Sequence, residues 1–198
     1  MAAGEMCVLL SRREVRSAVG RLARAVRRDY TGLLRRQGRD EGRGQAEPPE
    51  LLVVGVMKGA FVFMADLARA LNMPVTVDFV GVSTYGGGTT SSRKPRIVQG
   101  IRTPIKGRHV LVVEDIVDTG ITAGFLVDYL KRRGAASVRL CALLSKPSRR
   151  EVEVEIDYLG FTIADLFVVG YGLDYDQHYR YLPDVCVLEK VVEGKGQE

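Results

Sequence analysis

One nonapeptide concentrates most of the chemistry available to this chain. Glu114-Asp115-Ile116-Val117-Asp118-Thr119-Gly120-Ile121-Thr122 follows the apolar run from His109 to Val113 and leads into a helix-forming stretch. Two adjacent carboxylates at a strand end suit a vicinal diol such as a ribose, or a hard cation such as Mg²⁺. A third carboxylate, Asp118, stands two aliphatic residues further on, and a turn with the hydroxyls of Thr119 and Thr122 around Gly120 follows it. A turn of this kind, ending at a helix N-terminus, binds phosphate through unpaired N–H groups and the positive dipole end. Glycine in it lets the backbone approach the ligand closely. Carboxylates for a sugar beside amides for a phosphate point to a small sugar polyphosphate.

The elements that must position this segment are legible on either side. Apolar, β-branched runs at Leu51 to Val56, Val75 to Thr84, His109 to Val113 and Ser137 to Leu144 read as strands, with a short strand near Ile97 to Ile101. Helical patterns run from Gly59 to Leu71, closed by Asn72 and Pro74, and from Thr122 to Arg133, closed by Gly134. Continuous apolar strands alternating with helices indicate a parallel α/β sheet buried on both faces. Ligands of such sheets sit beyond the C-terminal strand ends, which is where the nonapeptide falls.

Ser11 to Gly38 reads as one amphipathic helix, with apolar residues at Val15, Val19, Leu22, Val26 and Leu33/Leu34 and the 3.6-residue period of a surface helix. Ser11 and Glu14 form a capping-box signature, and Gly38 is the expected stop. Its other face carries Arg12, Arg13, Arg16, Arg24, Arg27, Arg28 and Arg35. The polar, Gly- and Pro-rich stretch from Gln37 to Glu50 reads as a mobile loop. The net charge of +5 is unevenly spread: residues 1–50 hold 11 Arg against 7 acids, and residues 51–198 hold 18 basic against 17 acidic groups. The basic excess thus belongs to the N-terminal helix and not to the nonapeptide. At 46% hydrophobic and 27% charged residues, the chain of 198 is long enough to bury a self-sufficient core and is no disordered polymer. Its richest apolar stretch, Gly59 to Leu71, is interrupted by Asp66 and Arg69, short of the roughly 18 apolar residues of a membrane span. Cys7, Cys141 and Cys186 are far apart, odd in number and in no metal-ligand spacing, and two of them sit inside apolar runs, which favours buried thiols in a reducing compartment.

Strand, E-D, two aliphatics, D-T-G-x-T and helix, in that order, resemble the phosphoribosyl-pyrophosphate (PRPP) motif of type I phosphoribosyltransferases. Four further segments narrow the resemblance to the hypoxanthine–guanine phosphoribosyltransferase family. They are V-G-V-M-K-G-A-F-V-F at 54–63, S-T-Y-G at 83–86, L-S-K-P at 144–147, and F-V-V-G-Y-G-L-D-Y at 167–175 with Arg180. The resemblance runs from Leu51 to Glu189 and continues more loosely into the N-terminal helix. It implies the type I phosphoribosyltransferase fold: α/β, a mostly parallel twisted sheet flanked by helices, with a small hood subdomain. Residues 1–198 would form one domain, with a core at 51–150 and a base-binding hood from about 151 to 190 joined by N-terminal residues. The implied activity is purine salvage, in which the 5-phosphoribosyl group of PRPP passes to N9 of hypoxanthine or guanine, giving IMP or GMP plus pyrophosphate.

Residue by residue, the resemblance implies that Glu114 and Asp115 hold the ribose hydroxyls and, with Asp174, Mg²⁺. Asp118 would be the general base or acid at purine N7, with Ile116 and Val117 in the same nucleotide-contacting run. Thr119, Gly120, Ile121 and Thr122 would cradle the 5′-phosphate. Met57, Lys58 and Gly59 would contact pyrophosphate, with a cis peptide before the lysine, and Arg180 would meet it as well. Lys146 would donate to purine O6, Phe167 would stack on the base, and the Val168 main chain would read its edge, near Asp174. A cation at O6 also favours the 6-oxo group physically, because the amino group of adenine would face a donor there. Ser83, Thr84 and Tyr85, at the start of the Gly-rich stretch Tyr85 to Arg96, would close as a mobile lid and exclude water. Ile121 departs from some relatives, which have a lysine at that position.

Two rival readings belong to other classes. D-T-G is also an aspartic-protease signature, but that reading leaves the acidic pair and the phosphate-type turn without a use. A PRPP- or nucleotide-sensing regulatory module that binds nucleic acid would employ the N-terminal arginines. The enzyme reading expects PRPP and a 6-oxopurine as partners, a homodimer or homotetramer, a cytoplasmic location, and neither nucleic acid nor membrane. Of the two histidines, His109 is expected to be structural, and His178 lies close in sequence to Arg180.

Overall fold

The computed structural model describes residues 6–40, 50–85 and 94–188. Strand β1 (Met6–Leu10) precedes the long helix α1 (Arg12–Asp40), and then β2 (Leu51–Met57), α2 (Phe61–Leu71), β3 (Val75–Tyr85) and β4 (Lys94–Gln99) follow. The chain continues through β5 (His109–Val117), α3 (Ile121–Arg132), β6 (Ser137–Ser145), a 3₁₀ turn at Pro147–Arg149, β7 (Tyr158–Thr162), β8 (Val168–Val169) and β9 (Val185–Leu188). A six-stranded sheet has the order β4-β3-β2-β5-β6-β7, with β5 near its centre. All its pairings are parallel except β3 with β4, which is antiparallel.

Alternate residues of the central strands feed two cores. Leu51, Val53, Leu111, Val113, Cys141 and Leu143 pack with the buried faces of α1 and α2. Leu52, Val54, Val110, Val112, Leu140 and Ala142 pack with Ala123, Leu126 and Leu130 of α3 on the other face. Burial on both faces is why these strands read as unbroken apolar runs. Helix α1 buries the expected stripe from Val15 to Leu34, and its capping box forms: the Ser11 backbone N–H and hydroxyl both donate to Glu14 Oε2, at 2.8 and 2.6 Å.

Several boundaries differ from the sequence reading. Helix α1 passes through Gly38 to Asp40, because a helical glycine costs about 1 kcal/mol and does not break the ladder as proline does. Residues 37–40 are therefore helix, and the rest of the expected loop, 41–49, lies outside the described residues. Helix α2 starts at Phe61, after a turn through Lys58, Gly59 and Ala60. The short strand near 97–101 is instead β4 at 94–99, and Tyr85 pairs with Lys94, so both ends of the expected lid are strand. Pro95 is tolerated because β4 is an edge strand, where a missing N–H need not face a neighbour. The lid residues 86–93 lie outside the described residues. Strand β7, within the expected hood segment, joins the six-stranded sheet instead.

A second, three-stranded antiparallel sheet has the order β1-β9-β8. It is fastened to the start of α1 by Arg12, whose backbone N–H and side chain donate to Asp184 at 2.6 and 2.9 Å. At the opposite end of the main sheet from the nonapeptide, Arg139 ties α1 to the strands. Its Nη1 donates to the Tyr158 hydroxyl at 2.6 Å and to Asp29 at 3.3 Å, and its guanidinium lies over the rings of Tyr30 and Tyr158. His109, as expected, is structural: its Nδ1 shares a hydrogen bond with the Ser137 hydroxyl at 2.7 Å. Replacing Arg139 by Ala leaves Asp29 short of a partner and uncovers both rings. Denaturant unfolding should show a loss of about 2 kcal/mol, the scale of a part-buried polar group stripped of a partner.

Candidate active site

The sequence-predicted residues converge on the C-terminal ends of β2, β5 and β6. Glu114 is buried at the end of β5, and its Oε2 has no hydrogen-bond partner among the described residues. Asp115 presses on the turn after β2: a Cβ at Gly59 would collide with the Asp115 carboxylate. Gly59 is in turn covered by the loop after β8, since a Cβ at Gly172 would strike the Gly59 carbonyl. Two glycine-dependent contacts thus stack two loops on strand β5 at one point. The Met57–Lys58 peptide is cis, as the resemblance implied.

Burial pushes Glu114 well above the usual carboxylate range, and the neighbouring charge of Asp115 adds to the shift. Burial likewise pushes Asp115 up to about 6, opposed by backbone N–H groups and by the positive charge of Arg180. A carboxyl whose folded pKa is raised binds more protons folded than unfolded, so stability falls as pH rises from about 4 to about 6. Ionising either carboxyl thus comes at a cost to the fold, as it does for groups awaiting a partner.

The turn after β5 has the expected shape. Gly120 adopts φ 84° at the N-terminus of α3, and a Cβ there would meet the Val152 carbonyl. No side chain caps α3, and the Thr119 hydroxyl makes only a long contact, 3.4 Å, with the Ile121 N–H. The first-turn amides, with Thr122, therefore remain directed at whatever lies before the helix. Ile116 is half-buried, whereas the Val117 side chain belongs to the core and its carbonyl accepts from the Lys146 N–H at 3.0 Å.

Lys146 is 7% exposed, a rare state for a lysine, with Nζ 3.8 Å from Asp165. Asp118 is ion-paired with Arg149, whose Nε donates to Asp118 Oδ1 at 2.9 Å. Lys58 and Arg180 both donate to the side-chain oxygen of Gln177, at 3.1 and 3.4 Å. Arg180 also pairs with Asp174 Oδ1 at 2.8 Å, while Asp174 Oδ2 accepts from the Gln177 N–H. Phe167 is 42% exposed and meets Tyr175 edge-to-face at 5.5 Å. Val168 is buried in β8, opposite Val187. Ser83 lies near the end of β3 with a buried hydroxyl lacking a partner among the described residues. For Thr84 and Tyr85 only the strand backbone falls within the described residues.

Arg149, Asp165 and Gln177 escaped the sequence reading, and Tyr175 entered it only as the last residue of a motif, without a role. Arg149 could have been suspected from its place just after Lys146, and Asp165 from its place just before Phe167. Gln177 carried no signal, because its turn is built from left-handed Asp176, Gln177 and Tyr179 without a glycine. Among the described residues no three His, Cys, Asp or Glu side chains cluster to hold a metal. The unpartnered, buried Glu114 oxygen beside Asp115 still fits Mg²⁺, which binds through one or two carboxylates plus substrate phosphates and not in an all-protein cage.

A parallel sheet with an acidic strand end, a phosphate-type turn and a buried lysine defines the phosphoribosyl transferase domain, whose family profile matches residues 20–176. The bifunctional TilS/HprT protein of Listeria monocytogenes is 43% identical over 182 residues, 92% of this chain, which spans 26% of that protein's length. The hypoxanthine-guanine phosphoribosyltransferase of Streptococcus pneumoniae is 44% identical over 93% of this chain and 94% of its own. A variant hypoxanthine phosphoribosyltransferase from Trypanosoma cruzi, solved as a ternary substrates complex, superposes with a TM-score of 0.81 at 39% identity, covering 96% of this chain and 97% of that one. The chain belongs to the hypoxanthine–guanine phosphoribosyltransferase family.

The stacked carboxylates generate a stability test. Asp115→Asn removes an ionisable group that is charged at the fold's expense beside Glu114, so at pH 7.5, without ligand, its thermal midpoint should rise by about 4 °C. A lower midpoint would show that the pair is not held at the fold's expense.

Proposed function

We propose that the chain transfers the 5-phosphoribosyl group of PRPP to N9 of hypoxanthine or guanine, forming IMP or GMP and pyrophosphate. The observation that carries this reading is the meeting, along one sheet edge, of paired carboxylates, a phosphate-type turn and a buried lysine. Glu114 and Asp115 accept from the ribose hydroxyls, and the amides of residues 119–122 hold the 5′-phosphate. Lys58 and Arg180 draw charge from the departing pyrophosphate as the C1′–O bond breaks. Asp118 takes the N7 proton while N9 attacks a ribosyl centre of oxocarbenium character. Lys146 donates to O6, Phe167 stacks on the base, and the Val168 main chain and Asp174 face its C2 side. Bound Mg²⁺ would neutralise pyrophosphate charge, held by Glu114 and Asp115, with Asp174 able to join only if its pair with Arg180 opens. Ser83, Thr84 and Tyr85 start a lid that excludes water.

The hood that receives the base comprises the β1-β9-β8 sheet and the loop after β8. The reading includes a homodimer or homotetramer. Its support is an open groove of about 990 Å³ between α1, α2 and residues 180–183, with Phe61 and Tyr181 exposed in it. It also includes a cytoplasmic location, which the three free thiols suit. No helix among the described residues is long and apolar enough to cross a membrane. The regulatory, nucleic-acid-binding alternative draws no support from these relatives.

Incubation with PRPP, Mg²⁺ and, separately, hypoxanthine, guanine, xanthine and adenine tests the reading. Nucleotide should form from hypoxanthine or guanine and not from adenine, and absence of product with every 6-oxopurine overturns it. Asp118→Asn should lower kcat about 100-fold or more, the scale of a positioned acid or base, with little change in PRPP affinity. An unchanged kcat would remove Asp118 from its role.

A further inference from the structure

Charged groups alternate in sign across the ends of three neighbouring strands. Asp118 follows β5, Lys146 and Arg149 follow β6, and Asp165 follows β7. Arg149 spans the gap: its Nε donates to Asp118 Oδ1 at 2.9 Å and its Nη1 to Asp165 Oδ2 at 3.4 Å. The other oxygen of Asp165 lies 3.8 Å from Lys146 Nζ. Asp118, Arg149, Asp165 and Lys146 therefore form one chain of charge, whose two ends are the groups expected at N7 and O6 of a purine.

We propose that Arg149, through Asp165, is a positioning residue that sets the Asp118 carboxylate and the Lys146 ammonium at the spacing of a 6-oxopurine edge. Asp118 sits in the bend after β5, and Arg149 is the partner of its carboxylate among the described residues. By taking Oδ1, Arg149 leaves Oδ2 to accept a proton from the base. A guanidinium suits the task because it is planar, permanently charged and can bond two carboxylates along different N–H directions, whereas an ammonium is a point charge. The bridge is not a stabilising device. The side chains of Arg149, Asp118 and Asp165 are 44%, 38% and 51% exposed, and ion pairs so exposed contribute little to folding. Its orientation at the site is what remains to explain it.

The inference rests on the phosphoribosyl-transfer reading, and the test separates the two. Steady-state kinetics with hypoxanthine and PRPP, with thermal melts, would compare the wild-type chain with Arg149→Ala, Asp118→Asn and the double variant. Arg149→Ala should melt within about 2 °C of wild type and keep its KM for PRPP within about twofold. Its kcat should fall about tenfold, a modest share of what misplacing a reactive group can cost. In the Asp118→Asn background the same substitution should change kcat less than about twofold, because Arg149 acts through the carboxylate that is then absent. Arg149→Lys should stay close to the alanine variant. An unchanged or increased kcat in Arg149→Ala overturns the inference, as does an equal loss in both backgrounds. An inactive wild-type chain would instead overturn the reading of the function.

Discussion

The burial of two adjacent carboxylates at the end of the central strand is the constraint on which the rest of this structure depends. Glu114 is buried and Asp115 half-buried, in a strand with neighbours on both sides and two loops packed at its end. Water can be excluded there only because Gly59 and Gly172 let neighbouring backbones close over Asp115 without an intervening side chain. The arrangement opposes folding and favours ligand, since whatever neutralises or hydrogen-bonds the pair recovers the cost. Two apolar cores, one on each face of the sheet, supply the surplus that makes such a site tolerable. Stability is spent at one strand end and made elsewhere.

Charge around that point is organised by strand order. Cations at Lys58 and Arg180 gather beside the acidic pair and share Gln177. Cations at Lys146 and Arg149 gather between Asp118 and Asp165. The net positive charge of the whole chain plays no part in either group, because its excess resides in the first 50 residues. One consequence is local neutrality: among the described residues, each candidate ligand-binding cation but Lys58 already has a carboxylate within ion-pair distance before any substrate arrives.

The main sheet and the residues at its strand ends were legible because they depend on local pattern. Continuous β-branched runs mark β2, β5 and β6, and D-T-G-I-T marks a turn into a helix whatever lies around it. The Ser11–Glu14 capping box was equally local. The small sheet was not legible. Strands β1, β8 and β9 have five residues or fewer, and the middle strand β9 pairs with β1 across nearly the length of the described chain, which no window of neighbouring residues reveals. The Arg149 and Asp165 contacts failed for the same reason. Each is an ordinary charged residue in a loop until strand order places it beside Asp118 or Lys146.

The pairing of β1 with β9 has a bearing on the order in which the molecule is completed. Met6 lies opposite Leu188, and Arg12 is secured by Asp184. A chain emerging from the ribosome can assemble β2, α2, β3 and the central strands while its first strand still lacks a partner. That strand finds its place only once the chain has been made as far as Leu188. The small sheet proposed to receive the base is thus completed after the sheet edge proposed to hold the phosphates.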